Sequence, residues 1–263
     1  MKNSLEKIMN GLIDYAGLFP PAKLPLDQAI TEYISHFSDQ RKWMLGRFII
    51  PISQLNDLGK FIPKFDNVGT LKLSVLGAQS TSDKDFLEQT KKEISIINEY
   101  RKKHEGKVSI EVIETKLPSQ SPSKEVMAKI VKLLNSNNLE HYHEFPELPY
   151  VGINYATNED EGDWDDKITP TIEMISKLDN TGIKLRCGGI VKEAFPSVEQ
   201  VAAMIQNCSI YQVPLKFTAG LHHPIRHHSS EYSTEMHGFI NICLLYTSDA
   251  ADEGLGVDLG GRR

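Results

Sequence analysis

Lys184-Leu185-Arg186-Cys187-Gly188-Gly189 is followed, 32 positions later, by Lys216-Phe217-Thr218-Ala219-Gly220. Each segment closes an apolar run, and each has a glycine four residues after its lysine. The spacing is that of one strand–helix repeat. Side chains alternate along a strand, so Lys184 and Arg186 share one face, as do Lys216 and Thr218. Ile183, Leu185, Leu215 and Phe217 take the other face. The pattern predicts two parallel strands whose lysines sit side by side, pointing into a barrel.

The same alternation extends outward. Short runs at 47–50, 71–76, 108–113, 140–145, 183–187 and 213–217 read as strands, rich in β-branched and aromatic residues. A first strand is expected near 12–19. Helical patterns fill the gaps at 26–37, 55–61, 86–103, 124–134, 169–178 and 198–206, the last with Ser197 as N-cap after Pro196. Strand-then-helix order implies parallel strands with right-handed crossovers. The expected fold class is α/β, a (β/α)8 TIM-like barrel, C-terminally truncated. The alternative is an open doubly wound parallel sheet, although no G-x-G-x-x-G follows the first strand.

A single barrel domain is expected over 1–242. From Cys243 the chain reads Cys-Leu-Leu-Tyr-Thr-Ser-Asp-Ala-Ala-Asp-Glu and later Val257-Asp258-Leu259-Gly260-Gly261-Arg262-Arg263. Both pieces resemble the translation of a transposon-end sequencing adapter. Residues 243–263 are therefore expected to be non-native and disordered, with the natural chain continuing beyond Ile242 and its eighth strand missing.

Composition narrows the functional classes. Net charge is −6 over 263 residues, with no basic block, which argues against nucleic-acid and anionic-membrane partners. Lys91-Lys92 and Arg101-Lys102-Lys103 are interleaved with Asp83, Asp85, Glu88 and Glu93, and together read as a solvated helix face. The N-terminus lacks the apolar core of a signal peptide. Cys187, Cys208 and Cys243 form no C-x-x-C pair. A cytoplasmic location is expected, with a small molecule as the partner, and a homo-oligomer is compatible with the sequence.

Barrel enzymes carry their sites at the C-terminal ends of the strands. Two ammonium groups held there side by side disfavour each other's protonation, which is how a lysine becomes a neutral nucleophile near pH 7. Lys184 and Lys216 are thus candidate catalytic residues, with Arg186 to clamp a carboxylate or phosphate. Gly188, Gly189, Thr218 and Gly220 would let a ligand approach the backbone. Glu144, and Glu114 one strand earlier, are candidate general bases or lysine partners. Asp14 and Tyr15 begin Asp14-Tyr15-Ala16-Gly17-Leu18-Phe19-Pro20-Pro21, either facing substrate or belonging to a rigid turn.

Five of the nine histidines fall in 222–237, within Leu221-His222-His223-Pro224-Ile225-Arg226-His227-His228 and Met236-His237-Gly238-Phe239. A long loop here is expected after the seventh strand. His222 and His223 are candidate acid–base groups, and Arg226 a substrate contact. The alternative is a divalent metal such as zinc on His222, His223 and His237. A structural role is the third reading, with His237 capping the next helix.

Two resemblances follow from these residues. Asp14 to Ala22, Lys184 to Gly189 with Phe195-Pro196, Lys216 to Pro224 with Arg226, and Met236 to Phe239 resemble a group of bacterial proteins without assigned activity. This likeness implies a shared fold and site. Lys216-Phe217-Thr218-Ala219-Gly220 and Val112-Ile113-Glu114-Thr115 are more distantly similar to class I aldolases of the deoxyribose-phosphate aldolase type. That likeness implies a lyase acting on a small oxo compound through a lysine Schiff base, with no cofactor. The aldolase turn belongs on strand six, whereas here it falls on strand seven, so either lysine could be the nucleophile. The competing expectations are a metal-dependent lyase, isomerase or hydrolase, and a non-catalytic binding protein on a barrel scaffold.

Overall fold

The computed structural model describes residues 2–118, 123–144 and 164–249. The chain divides into two compact units, Met1–His143 with Leu178–Thr181, and Glu144–Lys177 with Gly182–Arg263.

The first unit runs α1 (Lys2–Met9), β1 (Ile13–Tyr15), α2 (Leu26–His36), β2 (Leu45–Pro51), α3 (Leu55–Leu58), β3 (Leu71–Leu76), α4 (Asp83–Lys103), β4 (Val108–Lys116) and α5 (Lys124–Asn135). β5 (Glu140–Glu144) follows, its last residue falling in the second unit. Strands β1 to β4 pair in chain order, all parallel, with Phe48 opposite Leu73 and Leu73 opposite Ile110. β3 buries Leu71, Leu73, Ser74 and Val75, the near-continuous burial of a strand covered on both faces.

An aromatic cluster anchors this unit. Tyr33 and Phe48 are fully buried, with ring centroids 5.3 Å apart in an edge arrangement, and Tyr15 stacks on Phe48 at 5.5 Å. Burying a side chain the size of Phe48 contributes roughly 1.5–3 kcal/mol. α4 starts where Ser82 accepts from the Asp85 N–H, with Asp83 and Asp85 in its first turn and Arg101, Lys102 and Lys103 in its last. Each sign thus complements the helix dipole at its own end.

The helix expected over 55–61 is instead a single α turn, α3, between 3-10 segments Ile52–Gln54 and Gly59–Phe65. Gly59 and Pro63 weaken the helix ladder, while Leu55, Leu58, Ile62 and Phe65 remain buried. Glu93 corrects another expectation. It lies on the buried stripe Phe86, Thr90, Glu93, Ile97, Tyr100 of α4 and not on the solvated face.

The second unit contains α6 (Trp164–Ile175), β6 (Thr181–Arg186, from Gly182 on), α7 (Val198–Ile210), β7 (Leu215–Thr218), β8 (His227–Ser229), β9 (Thr234–Met236) and α8 (Phe239–Asp249). β6 and β7 are parallel. α6 packs on α7, where the Thr169 hydroxyl donates to Asn207 Oδ1 at 2.8 Å. α7 opens with the capping box expected at Ser197, Gln200 bonding back to the cap.

Part of the loop expected after β7 is the antiparallel hairpin β8–β9, with His227 opposite Met236. Where disorder is expected from Cys243, α8 runs on to Asp249, and 250–263 lie outside the described residues. What the strands establish is a mixed α/β protein with a parallel four-stranded sheet and helices. Among the described residues, no helix is long and apolar enough to cross a membrane.

Candidate functional site

The lysine pair is in the predicted register. Ile183 lies opposite Leu215, Lys184 opposite Lys216, Leu185 opposite Phe217 and Arg186 opposite Thr218. Ile183 and Leu185 are fully buried, as expected of the face away from the lysines. Lys184 is only 7% exposed, whereas Lys216 is half-buried. Parallel strands hold facing residues at one fixed spacing, so the pairing follows directly from the register.

The glycines serve a different contact from the one expected. Ala219 and Gly220 both have left-handed φ, 58° and 65°. Two successive residues of that kind form a tight turn that carries the chain back across the end of β6. A Cβ on Gly220 would stand 2.1 Å from the Cys187 carbonyl oxygen, and one on Gly188 would stand 2.6 Å from Gly220 Cα. Gly188 and Gly220 are therefore pressed on each other, backbone to backbone. The Cys187 N–H donates to the Thr218 carbonyl at 2.8 Å and locks the two strand ends together. Gly189, next in the chain, is partly exposed. Arg186 reaches the Gly188 carbonyl at 3.4 Å.

Cys187 is fully buried, and burial pushes its thiol well above the ordinary range. The Cys208 thiol is pushed up to about 12 for the same reason. Thiolate is the reactive form, so neither cysteine is suited to be a nucleophile.

The histidine segment is tied down by backbone. The His223 carbonyl accepts from the Phe239 N–H at 3.1 Å, and the Pro224 carbonyl from the Ile240 N–H at 3.0 Å. These take two of the orphan donors that open α8. Gly238 permits the approach, since a Cβ there would lie 2.4 Å from the Ile225 carbonyl carbon. Asn241 accepts from the Arg226 N–H at 2.8 Å.

Arg226 itself, an expected substrate contact, lies 3.5 Å from Glu235 in an exposed pair, and Glu235 also meets His228 Nδ1 at 3.1 Å. His222 is largely exposed, yet partial desolvation, and then the neighbouring His223, hold its pKa below the ordinary value. His237 is buried. Its Nε2 lies 2.7 Å from the Pro196 carbonyl, which can only accept, so Nε2 carries the hydrogen. Burial holds its pKa below the ordinary value. Of the expected metal trio His222, His223 and His237, the last has its Nε2 committed to Pro196 at the start of α7.

In the first unit Asp14 and Tyr15 have structural partners. The β1–β2 register shifts between Ile13 and Tyr15, which lie opposite Leu45 and Phe48. β2 thus carries one extra residue, and Asp14 Oδ1 accepts the Arg47 N–H at 2.6 Å. Tyr15 donates to Glu32 at 2.9 Å, and burial together with that carboxylate pushes its pKa up. These contacts tie both residues to neighbouring elements of the unit.

Two buried carboxyls lie at the other end of that sheet. Ser74 donates to Glu114 at 2.5 Å, and Glu114 is 2% exposed. Glu93 accepts from the Ala78 N–H at 2.6 Å and from Gln89 at 3.0 Å, and burial pushes its pKa up. Its position on the stripe 86, 90, 93, 97, 100 is the signal that could have revealed it. Glu144 ends β5, and its side chain lies outside the described residues.

These features define an α/β protein with cross-strand lysines at the C-terminal ends of parallel strands and a histidine-rich hairpin in the same unit. No protein-family model matches the chain, and no curated protein matches it.

Proposed function

We propose that the chain is a lyase of the aldolase type, acting on a small oxo compound through an imine on Lys184 or Lys216. The observation that carries this reading is their direct pairing across β6 and β7, next to strand ends locked by Gly188 and Gly220. The neutral amine of one lysine adds to the substrate carbonyl carbon and water leaves. The resulting iminium accepts the electron pair of the breaking carbon–carbon bond. His222, in the segment that follows β7, would move the protons. Glu144 would serve as a general base, and Arg186 would hold a carboxylate or phosphate of the substrate.

In this reading the strands belong to a C-terminally truncated (β/α)8 barrel. Pairing of β1 to β4 strictly in chain order supports that, because a doubly wound sheet reverses its order at the switch point. The protein would act in the cytoplasm on a small molecule, with no cofactor, nucleic acid or membrane.

The test is reductive trapping. The protein is incubated with a panel of small aldehydes and keto acids plus borohydride, then analysed by intact mass and peptide mapping. A stable secondary amine on Lys184 or Lys216 is expected, lost in the corresponding Lys→Met variant. A panel that labels neither lysine overturns the proposal.

A further inference from the structure

The five histidines of 222–237 divide by what holds their rings. His228 is paired with Glu235, and His237 is committed to the Pro196 carbonyl. His223 and His227 instead meet edge to face, with ring centroids 4.1 Å apart and planes inclined by 60°. His227 Nδ1 is buried with no hydrogen-bond partner among the described residues. A buried ring nitrogen without a partner costs free energy, and imidazole nitrogens find partners in protons, water or metal ions.

We propose that His223 and His227 form a two-imidazole clip for a first-row transition-metal ion of the Ni2+, Cu2+ or Zn2+ class. Their backbones are positioned by two independent anchors. The His223 carbonyl is bonded to the N-terminus of α8, and His227 sits in the β8–β9 ladder opposite Met236. The intervening Pro224 has a fixed φ, and its carbonyl is also bonded to α8. The two backbones are therefore held before any ion arrives, which lowers the ordering cost of binding.

Charge favours the same occupant. Arg226, between the two histidines in sequence, has its guanidinium drawn to Glu235. That carboxylate offsets a cation that would otherwise oppose a metal ion. The donors are two neutral nitrogens without carboxylate oxygens, a set that suits borderline ions and not Mg2+ or Ca2+. Among the described residues, no group of three or more His, Cys, Asp or Glu side chains could hold a metal ion. The clip thus supplies two ligands and leaves the other positions to water or to an exogenous oxygen or nitrogen donor, as in open metal sites.

The experiment uses tag-free protein, stripped with a chelator and dialysed, titrated with NiCl2, ZnCl2, CuCl2 and MgCl2 by calorimetry, with metal content measured after desalting. One Ni2+ or Cu2+ per chain is expected, and no Mg2+. H223N or H227N should weaken binding at least as much as loss of a second-shell partner, about 10–100-fold, while H228N should leave it unchanged. Paramagnetic broadening by Ni2+ is read on imidazole NMR signals of the unsubstituted protein. It should centre on His223 and His227, a readout independent of whether the variants fold. No uptake, uptake that survives H223N/H227N, or broadening centred on other histidines overturns the proposal.

Discussion

The two units bury ionisable groups of opposite character. The first encloses the carboxyls of Glu93 and Glu114, and the second encloses Lys184 and His237. In the first unit, short polar donors meet each acid: the Ser74 hydroxyl at Glu114, and the Ala78 N–H and Gln89 at Glu93. In the second, His237 turns its hydrogen to a backbone carbonyl. Burial costs the charged form in both cases, yet it acts in opposite directions on pH response. An acid is held neutral by acidity and a base by alkalinity. One chain thus carries buried groups whose contributions to stability respond to pH in opposite directions.

The largest expected effect isolates the second unit. Gly220→Val places a branched Cβ at left-handed φ and against the Cys187 carbonyl. Left-handed strain alone costs of order 1–3 kcal/mol, and the backbone overlap adds to it. The second unit should fail to fold cooperatively, while the first keeps its transition. The sequence has two tryptophans, Trp43 in the first unit and Trp164 in the second. Fluorescence of single-tryptophan variants in denaturant therefore reports each unit separately. Equal loss of both transitions would show that the units do not respond independently.

The next effect tests the opposed pH responses. Glu93 has a folded pKa above its ordinary 4.5, so its contribution to stability is complete below that value and is lost as pH rises through the folded pKa. His237 has a folded pKa below its ordinary 6.5, so its contribution is present above 6.5 and is lost as pH falls through the folded pKa. The contributions of Glu93 and His237 should therefore drift in opposite directions between pH 4 and 8, read as the difference between the protein and its Glu93→Gln or His237→Gln variant on the matching tryptophan probe. Glu93→Gln should flatten the first drift and His237→Gln the second. Glu93→Ala should cost about 1–3 kcal/mol, because it leaves the Ala78 N–H without its acceptor. Parallel drifts would break the comparison.

The smallest effect concerns Asp14. Asp14→Ala removes the acceptor of the Arg47 N–H at a partly buried site and should cost about 1 kcal/mol, read on the Trp43 probe alone. If the same variant also abolishes imine trapping at unchanged stability, Asp14 faces substrate and the rigid-turn role is secondary.

Much of the local architecture was legible beforehand. The strand at 71–76 agrees residue for residue, because its leucine and valine run is bounded by Gly69-Thr70 and Gly77. Ser197 caps α7 as its Ser-x-x-Gln spacing implies. The facing of Lys184 and Lys216 was legible because side-chain alternation and repeat length are both local properties. Other features were not. α6 runs Trp164–Ile175 and so starts before the expected 169–178 pattern, with Asp165 and Asp166 in its first turn. Acidic residues suit a helix N-terminus as well as they suit solvent. Hairpin β8–β9 lay hidden in the histidine segment, since three-residue strands leave too little alternation to detect.

Strand–helix alternation, the caps and the register of the two lysines are written in the residues themselves, because periodicity and capping act over a few positions. Only the tertiary structure decided which polar groups are enclosed and what each one holds. Asp14 takes an N–H 33 residues away, Glu93 one 15 residues away, and His237 a carbonyl 41 residues away. Gly188 and Gly220 meet each other where the alternation alone suggested room for a ligand. No local period encodes such partners. They follow from where the backbone brings distant N–H and C=O groups, and from the cost of burying any of them unmet.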